Sequence, residues 1–324
     1  MPFTVYEHAN DSLNYFMGML IFSDATIGLV CNVFIILMFF QNGEAKSSFK
    51  LICLFRAIHN TYILVEFLID FLPLTIWGWT SLSLTLESVV LILGNTFYVA
   101  NQYICILLAL NRFIALYFYN YYNKFCAIKP TLLLLIAIDL LRLGIVSDLI
   151  YGYLTDIEHN NFYFDPDMMS CVYPVTNDIP NATATGDSDP IGLYELTTKI
   201  YTVSTLALNI LTFLKISYYY ITESQTETQV ARERIKKNAK LFLQTFLQDS
   251  LYIVDMLFMM YFSTLSDSRF WGFISWSFVW CNVHSVDGVI MLLFTEHKKS
   301  LSSLFMQTST KGEKQKWASR TSQQ

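Results

Sequence analysis

Apolar residues run along this chain in long blocks separated by short polar links. Seven blocks reach the ~20 residues that a helix rising ~1.5 Å per residue needs to cross a bilayer. They are Tyr15–Phe40, Phe49–Trp77, Leu86–Tyr117, Thr131–Tyr153, Lys199–Ile221, Leu241–Phe262 and Trp271–Thr295. The pattern predicts an all-α membrane protein. A seven-transmembrane helix bundle fills residues 15–295, between an N-terminal segment 1–14 and a polar tail 296–324. The second and fourth blocks carry several charges and are the least clear-cut of the seven. Residues 1–14 have no basic stretch, so the first block is expected to act as an uncleaved anchor.

Composition supports the membrane reading. Of 324 residues, 54% are hydrophobic and only 15% are charged, against about 25% charged in soluble domains. The net charge of -5 matters less than where the charges fall. The links and the tail on one side hold Lys46, Lys50, Lys124, Lys129, Arg232, Arg234, Lys236, Lys237, Lys240, Lys298, Lys299, Lys311, Lys314, Lys316 and Arg320, while the other side holds Arg269 alone. Basic loops stay in the cytoplasm, which puts the N-terminus outside. The glycosylation sequons at Asn10 and Asn181 fall on that same outer side. Basic residues form only short inner clusters, so no nucleic-acid partner is expected. Six scattered cysteines without a C-x-x-C pair argue against a zinc site or a disulfide scaffold, and no cofactor is expected. The longest link, Leu154–Thr198, is acidic and punctuated by Pro174, Pro180, Gly186 and Pro190. It is predicted to be irregular, either a lid or simply a solvated loop.

Ionisable groups at bilayer depth are costly and usually face a bundle interior with a partner. The candidates are Asp24, Arg56, Glu66, Asp70, Asp139, Arg142, Asp148, Asp249, Asp255 and Asp287, with His59 and His284. At ~1.5 Å per residue, Asn32, Asn60 and Asp287 each lie ~12–16 Å from the inner ends of their helices, with Asp249 at similar depth. These four are predicted to share one polar layer, which is either static glue between helices or a switch. Glu66 and Asp70, four apart, share a face in the outer half of the second helix. Asp139 and Arg142, three apart, are placed to pair with each other. Arg112 closes the third helix; position alone favours snorkelling to lipid phosphate over bonding into the bundle. No nucleophile–base signature, phosphate loop or H-E-x-x-H occurs, so catalysis is not supported.

Ligand sites in helical bundles form between facing helices. In the outer half, between the third, fifth, sixth and seventh helices, Asn95, Tyr98, Gln102, Asp255, Met259, Trp276 and Trp280 are expected to line a pocket. Ordinary core packing is the competing reading for each of them.

Several motifs carry a resemblance. Gly28-x-x-x-Asn32 and Asn111-Arg112-Phe113 resemble patterns of the G-protein-coupled receptor superfamily. The run Leu241-Phe242-Leu243-Gln244-Thr245-Phe246-Leu247-Gln248-Asp249, the pair Trp276-x-Phe278-Val279-Trp280 and the run His284-x-x-Asp287-Gly288-x-Ile290-Met291 resemble the nematode serpentine receptors, class x. The resemblance implies a rhodopsin-like receptor in the plasma membrane. Such a receptor binds a small-molecule ligand outside and signals to a heterotrimeric G protein inside. It also implies that Arg112 contacts the sixth helix or the G protein, and that Asn32, Asn60 and Asp287 form the central cluster. The basic stretch with Arg232, Arg234, Lys236 and Lys237 would extend the sixth helix toward the G protein; the alternative is attraction to anionic lipid, ~1 kcal/mol per basic residue. The chain departs from the superfamily pattern in lacking N-P-x-x-Y on the seventh helix and a cysteine near the outer end of the third, which leaves Cys171 without an obvious partner. Two other functions compete. A ligand-gated channel or transporter would use the acids Asp249, Asp255 and Asp287, although no inverted repeat is visible; a structural or trafficking membrane protein is the other.

Overall fold

The computed structural model of the chain describes residues 11–41, 47–78, 82–155, 163–166, 169–172, 190–222 and 229–294. Seven long helices dominate: α1 Ser12–Gln41, α2 Ser48–Trp77, α3 Leu84–Tyr117, α4 Ile128–Thr155, α5 Pro190–Thr222, α6 Gln229–Met260 and α7 Arg269–Phe294. Their bounds follow the apolar blocks closely at α1 to α4 and α7. Two differ. α5 starts at Pro190, inside the link expected to be irregular, with proline at a position where its missing N–H costs nothing. α6 starts at Gln229, so the basic stretch is helical as expected. Among the described residues six of these helices are long and apolar enough to span a membrane; the exception is α6, whose apolar half carries Gln244, Gln248, Asp249 and Asp255.

Local chemistry sets the ends. Ser47, Ser83 and Ser268 each accept a hydrogen bond at 3.3 Å from a backbone N–H three residues on, capping α2, α3 and α7. Gly78 ends α2 in the left-handed region, at φ 67°. Two helices carry a π turn, Phe67–Phe71 in α2 and Phe273–Phe278 in α7.

Packing inverts the soluble pattern, because the solvent for the outer faces is lipid. On α1, Met17, Ile21, Ala25, Gly28, Asn32 and Ile35 recur every three or four residues on the buried face. The opposite face shows Met19, Phe22, Ile27, Val30 and Phe40 to the surroundings. The helices close a ring in which α1 packs on α2 and α7, α7 on α6, and α6 on α5, while α3 contacts α2, α4, α5 and α6. The interior is aromatic on one side of the polar layer, built from Phe67, Phe71, Tyr98, Tyr201, Tyr252 and Phe273.

The link after α4 is not wholly irregular. Strands β1 Tyr163–Asp165 and β2 Ser170–Val172 pair antiparallel, Phe164 opposite Cys171. The hairpin is pushed into the mouth of the bundle. Phe164 is buried against Phe71, Met169 is fully buried and its carbonyl accepts from Ser277 Oγ at 2.6 Å. Arg269 donates to Asn14 Oδ1 and to the Pro166 carbonyl, clasping α1, the hairpin and α7. The hairpin end is the one that the basic asymmetry assigns to the outside.

Close helix contact rests on glycine at specific points. A Cβ at Gly28 would overlap the backbone of Ser285 on α7, whereas one at Gly144 would meet nothing within 4 Å. Gly28→Ala is therefore expected to lower thermal stability by ~1–3 kcal/mol through overpacking. Gly144→Ala is expected to be neutral or stabilising by up to ~1 kcal/mol. Unfolding curves of the purified chain in detergent compare the two, and equal midpoints would sink the packing argument.

Candidate functional site

The centre of the bundle is an ion pair. Arg56 on α2 and Asp287 on α7 meet with Nη2–Oδ1 at 2.6 Å, both side chains fully buried. Arg56 Nε adds a second bond to Oδ2 at 3.3 Å, giving the forked geometry that guanidinium and carboxylate favour. Asp287 also accepts from Asn60 Nδ2 and from Gln248 Nε2 of α6, each at 2.7 Å. Arg56 Nη1 points at Cys105 Sγ on α3, and the guanidinium faces the Tyr252 ring at 5.6 Å. Two desolvated charges are tolerable here because nearly every remaining hydrogen and lone pair is matched.

Asn60 spreads the network. Its amide also donates to Asn32 Oδ1, and its carbonyl oxygen lies 2.9 Å from Asn101 Nδ2 and 2.8 Å from His284 Nδ1. Asn32 in turn donates to the carbonyls of Gly28 and His284, and a side chain at Gly288 would displace it. From Asn101 the chain runs to His59 Nδ1 at 3.1 Å, and His59 Nε2 faces Asp139 of α4 at 3.3 Å.

The predicted polar layer is thus present for Asn32, Asn60 and Asp287. The fourth member, Asp249, joins at the edge: it lies beside Cys105, the thiol that Arg56 Nη1 meets, and accepts from Asn209 of α5 at 2.6 Å, while the α6 side chain bonded to Asp287 itself is its neighbour Gln248. Asp139, expected to pair along its own helix, meets His59 of α2 instead. Arg56 and His284 were visible as buried ionisable groups but had no assigned place; Gln248 and Asn101 were missed. The signals were there in spacing: Arg56 and Asn60 are four apart, and His284 and Asp287 three apart, hence on common faces.

Toward the hairpin end, part of the expected pocket comes together. Tyr98 Oη donates to Asp255 Oδ2 at 2.6 Å. The Tyr98 ring lies 5.6 Å from Tyr252, 6.3 Å from Trp280 and 5.9 Å from His284. Gln102 is buried beside Met256, with Nε2 4.0 Å from the sulfur. Met259 is half-buried one turn beyond Asp255. Asn95 and Trp276, by contrast, are exposed. The face of α3 that Met256 covers at Gln102 is open seven residues earlier at Asn95, and Trp276 is turned outward within the π turn of α7.

At the opposite end Arg112 is buried rather than snorkelling. Its guanidinium stacks over Phe49 at 4.0 Å, and Nε and Nη2 have no hydrogen-bond partner among the described residues. Asn111 beside it bonds Ser48 and Tyr122. Lys236 is exposed on the first turns of α6, whose backbone also carries Arg232, Arg234 and Lys237. Asn10 and Asn181 lie outside the described residues. All six cysteines are free thiols. Among the described residues, no group of three His, Cys, Asp or Glu has the spacing of a metal site.

A closed ring of seven long helices, tied at its centre by a buried charge network, defines a multi-pass membrane protein of the seven-transmembrane receptor class. The family model for serpentine type 7TM GPCR chemoreceptor Srx matches residues 22–295, and the chain belongs to that family. It is also similar to serpentine receptor class X 45 of Caenorhabditis elegans, 22% identical over 307 residues that cover 88% of this chain and 80% of the relative.

The ion pair should resist single substitution most strongly. Asp287→Ala or Arg56→Ala strands a buried charge and is expected to cost about 3–5 kcal/mol of stability. The double change Arg56→Ala with Asp287→Ala should cost less than the sum of the two. Thermal unfolding of the three purified variants measures this, and strictly additive losses would refute the coupling. Cys171 gives a second check. Burial first, then the carboxylates of Glu66, Asp70 and Glu87, push its thiol well above the ordinary range, so it stays protonated at neutral pH. Iodoacetamide attacks the thiolate; mass mapping should find Cys171 unmodified in the folded receptor and alkylated after unfolding.

Proposed function

We propose that this chain is a plasma-membrane chemosensory receptor. In this reading a small extracellular ligand binds at the hairpin end, and a heterotrimeric G protein is engaged at the basic end. Residues 1–14 would be extracellular, residues 296–324 cytoplasmic, and Asn10 and Asn181 glycosylated. The observation that carries the reading is an unbroken contact path. Trp280 and Tyr252 touch Tyr98, Tyr98 and Tyr252 touch His284, His284 bonds Asn60, and Asn60 bonds Asp287, which holds Gln248 of α6. α6 then continues without a break to the basic turns at Gln229. A ligand that binds between Tyr98, Gln102, Asp255 and Trp280 competes with the Tyr98–Asp255 bond, and so has the differential contact with two packings that a population shift requires.

Arg112 supports the other end of the reading: once swung off Phe49, its unmatched N–H groups would donate to carbonyls of a docked G protein. Arg232, Arg234, Lys236 and Lys237 would steer that encounter.

The reading is tested by nucleotide exchange on a G protein in membranes holding the receptor, challenged with a panel of small organic compounds. A compound that evokes exchange but no membrane current is the expected result; current without exchange would favour a channel. For that compound, Tyr98→Ala, Asp255→Ala and Trp280→Ala should each move the dose response to about tenfold higher concentration, ~1.4 kcal/mol. Asp287→Ala should impair exchange more than binding. If all four behave as wild type at equal surface expression, this pocket and this relay are wrong.

A further inference from the structure

A cluster of buried acids near the hairpin end is not used by the relay. α2 carries Glu66 and Asp70 inward, and α3 carries Glu87 in its first turn; all three are buried, Glu66 to 1% exposure and Asp70 to 0%. The Glu66 carboxylate lies against Gly94 of α3, where any side chain would collide with it. α3 is thus relieved of a Cβ at the one point where the acid needs room. Both Glu66 oxygens are enclosed, and neither has a hydrogen-bond partner among the described residues. Its neighbour Asp70 is a second acid, which acts on it and on Glu87. The roof is the hairpin: Phe164 N–H donates to Glu87 Oε1 at 2.9 Å, and the Cys171 thiol lies within the field of all three acids.

An enclosed carboxylate with no donor is expensive, and an acid with two empty oxygens is the complement of a cation. The three acids do not converge closely enough to chelate a metal ion. Their spread suits a diffuse ammonium group, and the rings of Phe67, Phe71 and Phe164 beside them suit an alkyl chain and add cation–π attraction. We propose that the cluster of Glu66, Asp70 and Glu87, roofed by the hairpin, binds a small alkylamine in its protonated form. The inference rests on the reading of this chain as a ligand receptor and adds a cationic subsite distinct from the Tyr98–Asp255 pair. Entry requires the Phe164–Glu87 bond to open, so the hairpin is displaced or re-seated as the amine enters.

Thermal unfolding of the full chain in detergent tests this with hexylammonium as the probe and hexan-1-ol, the same tail without charge, as its control. Hexylammonium should raise the unfolding midpoint saturably, and hexanol should not. Glu66→Gln and Asp70→Asn, made singly so that failure of one to fold leaves the other, should each weaken the amine effect at least tenfold. No midpoint rise in the wild type, an equal rise with hexanol, or an unchanged response in both variants would overturn the proposal. Loss of the response in Asp255→Asn with retention in Glu66→Gln would place the amine at the Tyr98 pair and overturn it too. The readout involves no G protein, so a receptor that binds hexylammonium here but never drives nucleotide exchange refutes the signalling reading and leaves this site standing.

Discussion

The meeting of Arg56 and Asp287 is the constraint on which the rest of the bundle is arranged. A guanidinium and a carboxylate at this depth have no water to fall back on, so each must find the other and then fill its remaining hydrogen-bonding positions from neighbouring helices. Asn60 and Gln248 complete the carboxylate, and Cys105 and the Tyr252 ring face the guanidinium. That requirement fixes which faces of α2, α3, α6 and α7 point inward, and Asn60 extends it to α1 through Asn32. The glycines follow from the same demand: Gly28 and Gly288 let α1 and α7 approach closely enough for Asn32 to reach its partners.

Above this layer the packing changes in kind. Rings replace amides, and most contacts between Phe67, Phe71, Phe164, Tyr98, Tyr252 and Trp280 are edge-on or tilted. Such packing is dense but not directional, unlike a network of charge and amide groups. The polar layer is suited to holding one of a few discrete arrangements, and the aromatic block beneath the hairpin to repacking by small tilts of its rings.

Much of this was legible in the chain and some was not, for physical reasons. Lipid demands long apolar runs, and such runs are visible in any single sequence; hence α1 to α4 and α7 were bounded closely. α5 was placed short because its first turns carry polar residues and lie inside an acidic link. The buried polar residues were also visible, since charge in hydrocarbon stands out. What depth cannot supply is rotation. Gln248 and Asp249 lie at the same height, about 100° apart on α6, and only packing decides that Gln248 faces Asp287 while Asp249 faces Asn209. Asn95 fails differently: it shares the face of Tyr98 and Gln102 but lies exposed, beyond the stretch that Met256 covers. Arg112 illustrates a different gap: the aromatic partner that draws it inward, Phe49, is contributed by α2 and is remote in sequence.

The two π turns bear on how such a receptor can diversify. Each packs one more residue into a turn than an α-helix does, and each lies between the polar layer and the hairpin end, at Phe67–Phe71 in α2 and Phe273–Phe278 in α7. Losing or gaining a residue there rotates everything on the hairpin side by about 100° while Arg56, Asn60, His284 and Asp287 keep their register. A one-residue insertion or deletion at either turn would therefore re-aim the hairpin-side half of its helix and leave the ion-pair layer where it stands, a swivel above a fixed axle.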